Sequence, residues 1–215
     1  MSNNESRPLI RRHMALEELL QLATPDELSA ITSILLNKEN NRVLGDDSKR
    51  QRLTRSQAQG ELYKVVSEIA FEIRALGSAS LASLLRRGEP VSYDEVVHDV
   101  ASELKIKYNK TDTTSSIEEK ILEVLVDKLA KQAERDSQTA AGFTIAGSAL
   151  GAAALLTALP LAAVGVVATS ILTARHKARP ELSGLTMIVV YIARIRVGVV
   201  AADHEDFVDR LRACL

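Results

Sequence analysis

From Ser137 to Ala174 the chain carries no charged side chain. Alanine and glycine dominate this stretch, Gly147 and Gly151 form a small-xxx-small pair, and Pro160 stands near its middle. A run this long and uncharged is either a membrane segment or the buried centre of a helical bundle. A spanning helix needs about 20 apolar residues, and Ala140–Leu159 supplies that length. Its strong contributors are Phe143, Ile145, Leu150, Leu155, Leu156 and Leu159. Placed centrally, they favour insertion by about 2–4 kcal/mol in total. Gly142, Thr144, Gly147, Ser148, Gly151 and Thr157 erode that margin. Tryptophan is absent from the chain and Phe143 is the one aromatic residue here, so the aromatic belt of a settled span is missing. Insertion is therefore marginal, and a hairpin buried in a bundle stands equally with membrane contact. Pro160 lacks an amide donor and predicts two helices joined at Leu159-Pro160 rather than one.

The remaining composition narrows the class. A hydrophobic content of 46% with only 3% aromatics points to Ala/Leu/Val packing between helices. A net charge of −1 argues against a dominant nucleic-acid footprint, and no nucleic-acid partner is expected. A single cysteine, Cys214, excludes an intrachain disulfide and fits a reducing compartment. Arg11, Arg12, Glu17 and Glu18 leave the N-terminal region without the apolar core of a signal peptide. The expected location is the cytoplasm, with peripheral or integral attachment at the inner membrane where the apolar stretch meets lipid.

Helix signals recur along the first two thirds. A short helix over about Met14–Ala23 gives way to Thr24-Pro25-Asp26-Glu27, in which threonine caps, proline takes the first helical position and glutamate closes a capping box. Leu28, Ile31, Ile34 and Leu35 give the helix that follows one apolar face. The basic run Lys49-Arg50-Gln51-Arg52 with Arg55 reads as a solvated face, since no aromatics interleave with it. Leu62, Val65, Val66, Ile69, Ile73 and Leu76 recur at helical spacing, and Gly77 is placed to end that helix. A further helix is expected around Ser78–Arg87. Ser92 and Glu95 open another capping box, for a helix to about Lys107 with Val96, Val100 and Leu104 inward. Ser115/Glu118 or Ser116/Glu119 then cap a long helix to about Arg135, with Ile117, Ile121, Leu125 and Leu129 buried.

Beyond the uncharged stretch, Arg175-His176-Lys177-Ala178-Arg179-Pro180 forms a basic turn. A second apolar run, Leu182–Ala202, is interrupted by Arg194 and Arg196, each costing roughly 2.5–3.5 kcal/mol at a bilayer centre. It is not a plain spanning helix with both arginines central. Its β-branched content over Thr186–Val200 leaves a strand open as an alternative.

Catalytic and metal motifs are weak. Glu95-Val96-Val97-His98 has the Glu-x-x-His spacing that sets two ligands on one helix face, but a di-metal bundle needs a second copy, which the chain lacks. Phosphate-binding glycine loops and nucleophile elbows are absent from the sequence. No catalytic residue, metal or cofactor is expected.

Three places resemble a bacterial family, the YaaW-like proteins. They are Leu19–Leu28; the central segment from Glu72-Ile73-Arg74-Ala75-Leu76-Gly77 through Leu85–Gly88, Asp99-Val100, Leu104–Lys110 and Glu118–Lys131; and Val189-Val190-Tyr191-Ile192-Ala193-Arg194. The central segment is in turn distantly similar to the ubiquinol–cytochrome c chaperones, so the resemblance implies a helical protein-binding or assembly module.

The expectation is an all-α multi-helix bundle ending in an apolar Gly/Ala-rich helical hairpin, divided into a module over 1–136 and the hairpin with its polar tail over 137–215. The expected function is that of a non-enzymatic, membrane-associated helper or assembly factor. The alternatives are a membrane-permeabilising effector with a masked hairpin, and a soluble enzyme of unrecognised site. Expected partners are an anionic membrane surface and a protein client, with the oligomeric state left open. Expected lipid contacts are Phe143, Leu150, Leu155, Leu156 and Leu159, with Arg175, Lys177, Arg179, Arg194 and Arg196 facing headgroups from a shallow helix.

Overall fold

The computed structural model describes residues 11, 13–37, 47–80, 90–109, 111–137 and 180–214. Among them are seven α-helices and no strands: α1 (Leu16–Gln21), α2 (Pro25–Leu36), α3 (Asp47–Ala58), α4 (Val66–Ser80), α5 (Tyr93–Glu103), α6 (Thr114–Ser137) and α7 (Pro180–Ala213). A 3-10 turn, Leu62–Val65, leads into α4. The chain is all-α, with a long apolar C-terminal helix. The uncharged stretch beyond Ser137, Pro160, the basic turn and most of the expected helix around Ser78–Arg87 lie outside the described residues.

Local chemistry sets the starts of three of these helices. Thr24 Oγ1 accepts from the Glu27 amide while Glu27 Oε2 accepts from the Thr24 amide at 2.9 Å, the reciprocal box that satisfies two orphan donors. Ser92 and Glu95 repeat it at α5. α6 is capped two residues before the earlier expected cap, Ser115, by Thr113, whose hydroxyl accepts from the Ser116 amide at 3.3 Å.

Two ends differ from expectation. Gly77 does not stop α4, which continues to Ser80. Its role is packing: a Cβ there would lie 2.5 Å from Val96 Cγ2, so the missing side chain lets α4 and α5 close. α5 stops at Glu103 rather than near Lys107, because Lys105 turns left-handed at φ 58°. The Ile106 amide then reaches the Ala101 carbonyl at 2.9 Å and the Lys105 amide reaches Ser102, a Schellman closure built on lysine instead of glycine.

The basic run becomes α3, a helix with one buried residue, Leu53. Its cations are used on α4: Lys49 Nζ lies 3.3 Å from Glu72 Oε1 and 4.4 Å from the Phe71 ring centroid, and Arg52 meets Glu68 at 2.8 Å.

At the centre lies α7. Leu185, Ile188, Val189, Val190, Ile192 and Ile195 are all at most 3% exposed and join the same hydrophobic cluster as Leu19, Ile31, Ile69, Ile73, Val96, Val100, Ile117 and Ile121. α7 packs on α1, α2, α4, α5 and α6. The second apolar run is therefore helix, not strand, and described residues on both sides of the expected boundary near residue 136 join one hydrophobic cluster. The physical reason is that α1, α2, α4, α5 and α6 each present an apolar face, and α7 is the apolar rod those faces close on. Beyond Val200 α7 emerges into solvent. Glu118, early in α6, meets Arg196 on α7, and α6 packs along α7.

Candidate functional site

Two arginines interrupt the apolar half of α7, and the fold buries both, Arg194 at 9% exposure and Arg196 at 5%. Neither reaches out toward lipid headgroups here. Arg196 Nε donates to Glu118 Oε2 at 2.6 Å, its Nη1 donates to the Met14 carbonyl at 3.2 Å, and Tyr93 Oη donates to Glu118 Oε1 at 2.8 Å. Four elements thus meet at one buried carboxylate: the segment before α1, α5, α6 and α7. Burial holds the Glu118 carboxyl above the usual carboxylate range, with the Arg196 guanidinium and the Tyr93 hydroxyl acting against that rise. Burial, with Glu118 adjacent, likewise pushes the Tyr93 phenol well up, which keeps it a donor.

Above this cluster opens a cleft of about 650 Å³, floored by Arg196 and Tyr93 and walled by His13–Glu17, the starts of α5 and α6, and Arg74. Arg74 Nη1 is paired with Glu17 at its edge. The rim carries Asp94, bonded by the Thr114 hydroxyl at 2.6 Å, and Asp112, which Lys120 and the Asn109 amide hold below the ordinary carboxylate range. The cleft is mixed in charge, with apolar and polar lining side by side, so a few placed charged and hydroxyl groups stand among apolar surface.

One wall is tied down with particular care. The Arg11 amide donates to Asp203 Oδ2 at 2.9 Å, Nε to both carboxylate oxygens at 3.1 and 3.2 Å, and Nη2 to Oδ1 at 2.6 Å. The guanidinium lowers the Asp203 pKa from its ordinary value.

A second groove of about 320 Å³ runs between the α1–α2 turn and α7, lined by Leu22, Thr24, Glu27, Arg194, Gly198 and Val199 among others. Glu95 and His98 are not brought to a common ligand: Glu95 closes its capping box, and His98 stacks on Tyr108 with centroids 5.0 Å apart. Among the described residues no His/Cys/Asp/Glu group is arranged to hold a metal. Of the expected lipid-contact residues, Phe143, Leu150, Leu155, Leu156, Leu159, Arg175, Lys177 and Arg179 lie outside the described residues.

Sequence reasoning missed the buried cluster and the Arg11–Asp203 clamp. The signal was present in the two arginines of an apolar run, each of which demands a counter-charge if buried. Nothing in a local window names Glu118, 78 residues away.

Fold and site together define an all-α bundle protein with a buried ion pair beneath a polar cleft. By length and composition α7 is also apolar enough to cross a membrane, although most of its apolar window is buried, and the core helix of a soluble protein passes the same test. Over 117 residues the chain is 33% identical to a UPF0174 protein of Helicobacter pylori (strain J99 / ATCC 700824), covering 53% of this chain and 44% of that protein. The chain thus spans less than half the length of this curated relative. The similarity is distant and links the chain to an uncharacterised bacterial family. No family model and no solved structure matches it.

Proposed function

We propose that this protein is a non-enzymatic, membrane-associated interaction or assembly factor of the bacterial cytoplasm, attached to the inner membrane through the uncharged run between α6 and α7. The observation that carries this reading is the burial of α7: the second apolar run is spent on the bundle core, with Leu185 through Ile195 almost fully shielded. The first run, Ser137–Ala174, is then the apolar element with a membrane role, and the basic turn Arg175–Arg179 is the cation cluster beside it. The resemblance to the YaaW-like family, with its distant likeness to ubiquinol–cytochrome c chaperones, supports a protein client by fold-level analogy.

The test is flotation of the full chain with vesicles of phosphatidylglycerol or of phosphatidylcholine alone, at low and high salt. Binding that prefers the anionic vesicles and weakens with salt supports the reading. Replacing Arg175, Lys177 and Arg179 by Gln then weakens anionic binding far more than neutral binding. Absence of binding to either vesicle type refutes it and leaves a protein whose apolar run is sealed in a soluble bundle.

A further inference from the structure

The groove between the α1–α2 turn and α7 is lined by Gly198, and a Cβ built there meets nothing within 4 Å. Gly77 is different, because its missing side chain lets α4 and α5 close. Glycine inside a helix costs about 1 kcal/mol relative to alanine. At residue 198 no contact within the chain gives that cost a reason. Ala202, one turn further on, lines the same groove and is exposed, and Leu22 stands on the wall made by the turn at 42% exposure. The charges on this side of α7 are ordered. Arg194, Gly198, Ala202 and Glu205 follow at spacings of four, four and three, which sets all four on one face of the helix. Arg194 lines the groove at its buried end. Glu205 lies beyond the groove in solvent and makes no hydrogen bond or ion pair among the described residues, whereas Asp206 is held by Arg210 and Asp209 by Arg212.

Gly198 and Ala202 sit midway between the two charges. A second α7 laid antiparallel about that midpoint brings its Ala202 onto Gly198 and its Glu205 onto the Arg194 guanidinium, and two-fold symmetry forms each contact twice. A parallel copy sets arginine on arginine and glutamate on glutamate. The order of charges therefore selects one arrangement and opposes the other. We propose that this groove is the isologous interface of a homodimer, in which α7 of each copy crosses α7 of the other, antiparallel, at Gly198 and Ala202. The two small residues let the helix axes approach to about 8 Å, the short end of the usual range. A guanidinium carries five donors in a planar fork, so the contact with the partner's Glu205 adds to those Arg194 makes within its own chain. The second copy also covers the exposed Leu22, and the part of α7 that leaves the bundle gains a surface to rest on.

The test is sedimentation equilibrium of the full chain in density-matched detergent, where a dimer that dissociates on dilution is expected. Gly198→Leu places its side chain in space that is open in the single copy. It is expected to weaken association at least tenfold without lowering the urea midpoint. Glu205→Lys is expected to weaken association at least tenfold as well. In a Cys214→Ser background, oxidation is expected to link Ala201→Cys to its own copy, because residue 201 lies beside the two-fold axis. Glu205→Cys is expected to stay unlinked, since its two copies stand about 15 Å apart along the helices. A monomer at every concentration, a dimer indifferent to Gly198→Leu, or a disulfide at Glu205→Cys overturns the proposal. If Gly198→Leu lowers stability, Glu205→Lys, a change at an exposed position, decides in its place. Vesicle binding by a monomer refutes only this proposal, and a dimer without vesicle binding refutes only the membrane reading.

Discussion

Arg196 Nε and Glu118 Oε2 stand 2.6 Å apart, with side chains 6% and 1% exposed, where α5, α6, α7 and the segment before α1 converge. A buried pair of this kind is weak evidence of net stabilisation, because desolvation of both ions offsets their attraction. Breaking it is another matter. Glu118→Ala leaves a buried guanidinium without its carboxylate and Tyr93 without its acceptor, and costs about 3–5 kcal/mol. Replacing both partners, Glu118→Leu with Arg196→Met, recovers most of that loss, since neither charge is then stranded. Urea unfolding of the single and double variants measures the difference. A double variant no more stable than the worse single one would show that the pair is needed for more than charge neutralisation.

The fold was legible where its causes are local. Thr24-Pro25-Asp26-Glu27 and Ser92–Glu95 carry their capping geometry in four residues, and the stripes of α2 and α4 follow from a 3.6-residue period. Reasoning failed where the cause is tertiary. Gly77 reads as a helix stop and is a contact with Val96, and the α5 stop rests on Lys105 adopting a conformation that a glycine rule does not flag. Arg194 and Arg196 read as headgroup cations because a window on α7 holds no acid. Their environment is made by the segment before α1, the α1–α2 turn, α5 and α6, which hydropathy along one helix cannot see.

The Gly77 contact gives a direct test. In Gly77→Ala the new methyl would lie 2.5 Å from Val96 Cγ2, and Val96 is fully buried. Ordinary helix propensity favours alanine by about 1 kcal/mol, so a stabilising result is the outcome expected of an unpacked site. Overpacking wins here, and a loss of about 1–3 kcal/mol is expected. Adding Val96→Ala to Gly77→Ala should cost less than Val96→Ala costs in the wild-type chain, because the methyl then fills part of the space left. Chemical denaturation of all four proteins checks both signs.

The Arg11–Asp203 clamp is pH-dependent, with a definite direction. Arg11 lowers the Asp203 pKa below its ordinary value, so the folded state binds a proton there less readily than the unfolded chain. The contribution of the clamp is therefore complete above the unfolded carboxylate value of about 3.9 and disappears as pH falls through the lower folded value. The Arg11 amide, bonded to Asp203 Oδ2, reports this directly by NMR. Its shift should titrate below pH about 4 in the wild type, and should not titrate there in Asp203→Asn. A midpoint above that value would mean that the carboxylate is not held by the guanidinium in solution.

A chain ending at Asp136 tests whether the first helices stand alone. Their own caps and apolar faces argue that they do. Against this, α7 supplies Leu185, Ile188, Val189, Val190, Ile192 and Ile195 to the shared core, each at most 3% exposed. At about 1.5–3 kcal/mol per buried aliphatic side chain, these six account for roughly 9–18 kcal/mol, an upper estimate because the unfolded chain is itself partly collapsed. That is as large as the whole stability of a typical domain, about 5–15 kcal/mol. Removing α7 also strands Glu118 and the inward faces of α1, α2, α4, α5 and α6. The shortened chain should keep some helical signal by circular dichroism but lose a cooperative urea transition, bind a hydrophobic dye and self-associate. Adding back a synthetic α7 peptide should restore a cooperative transition. A sharp transition in the shortened chain alone would show that α1–α6 close a core without α7, and the single-core architecture would be wrong.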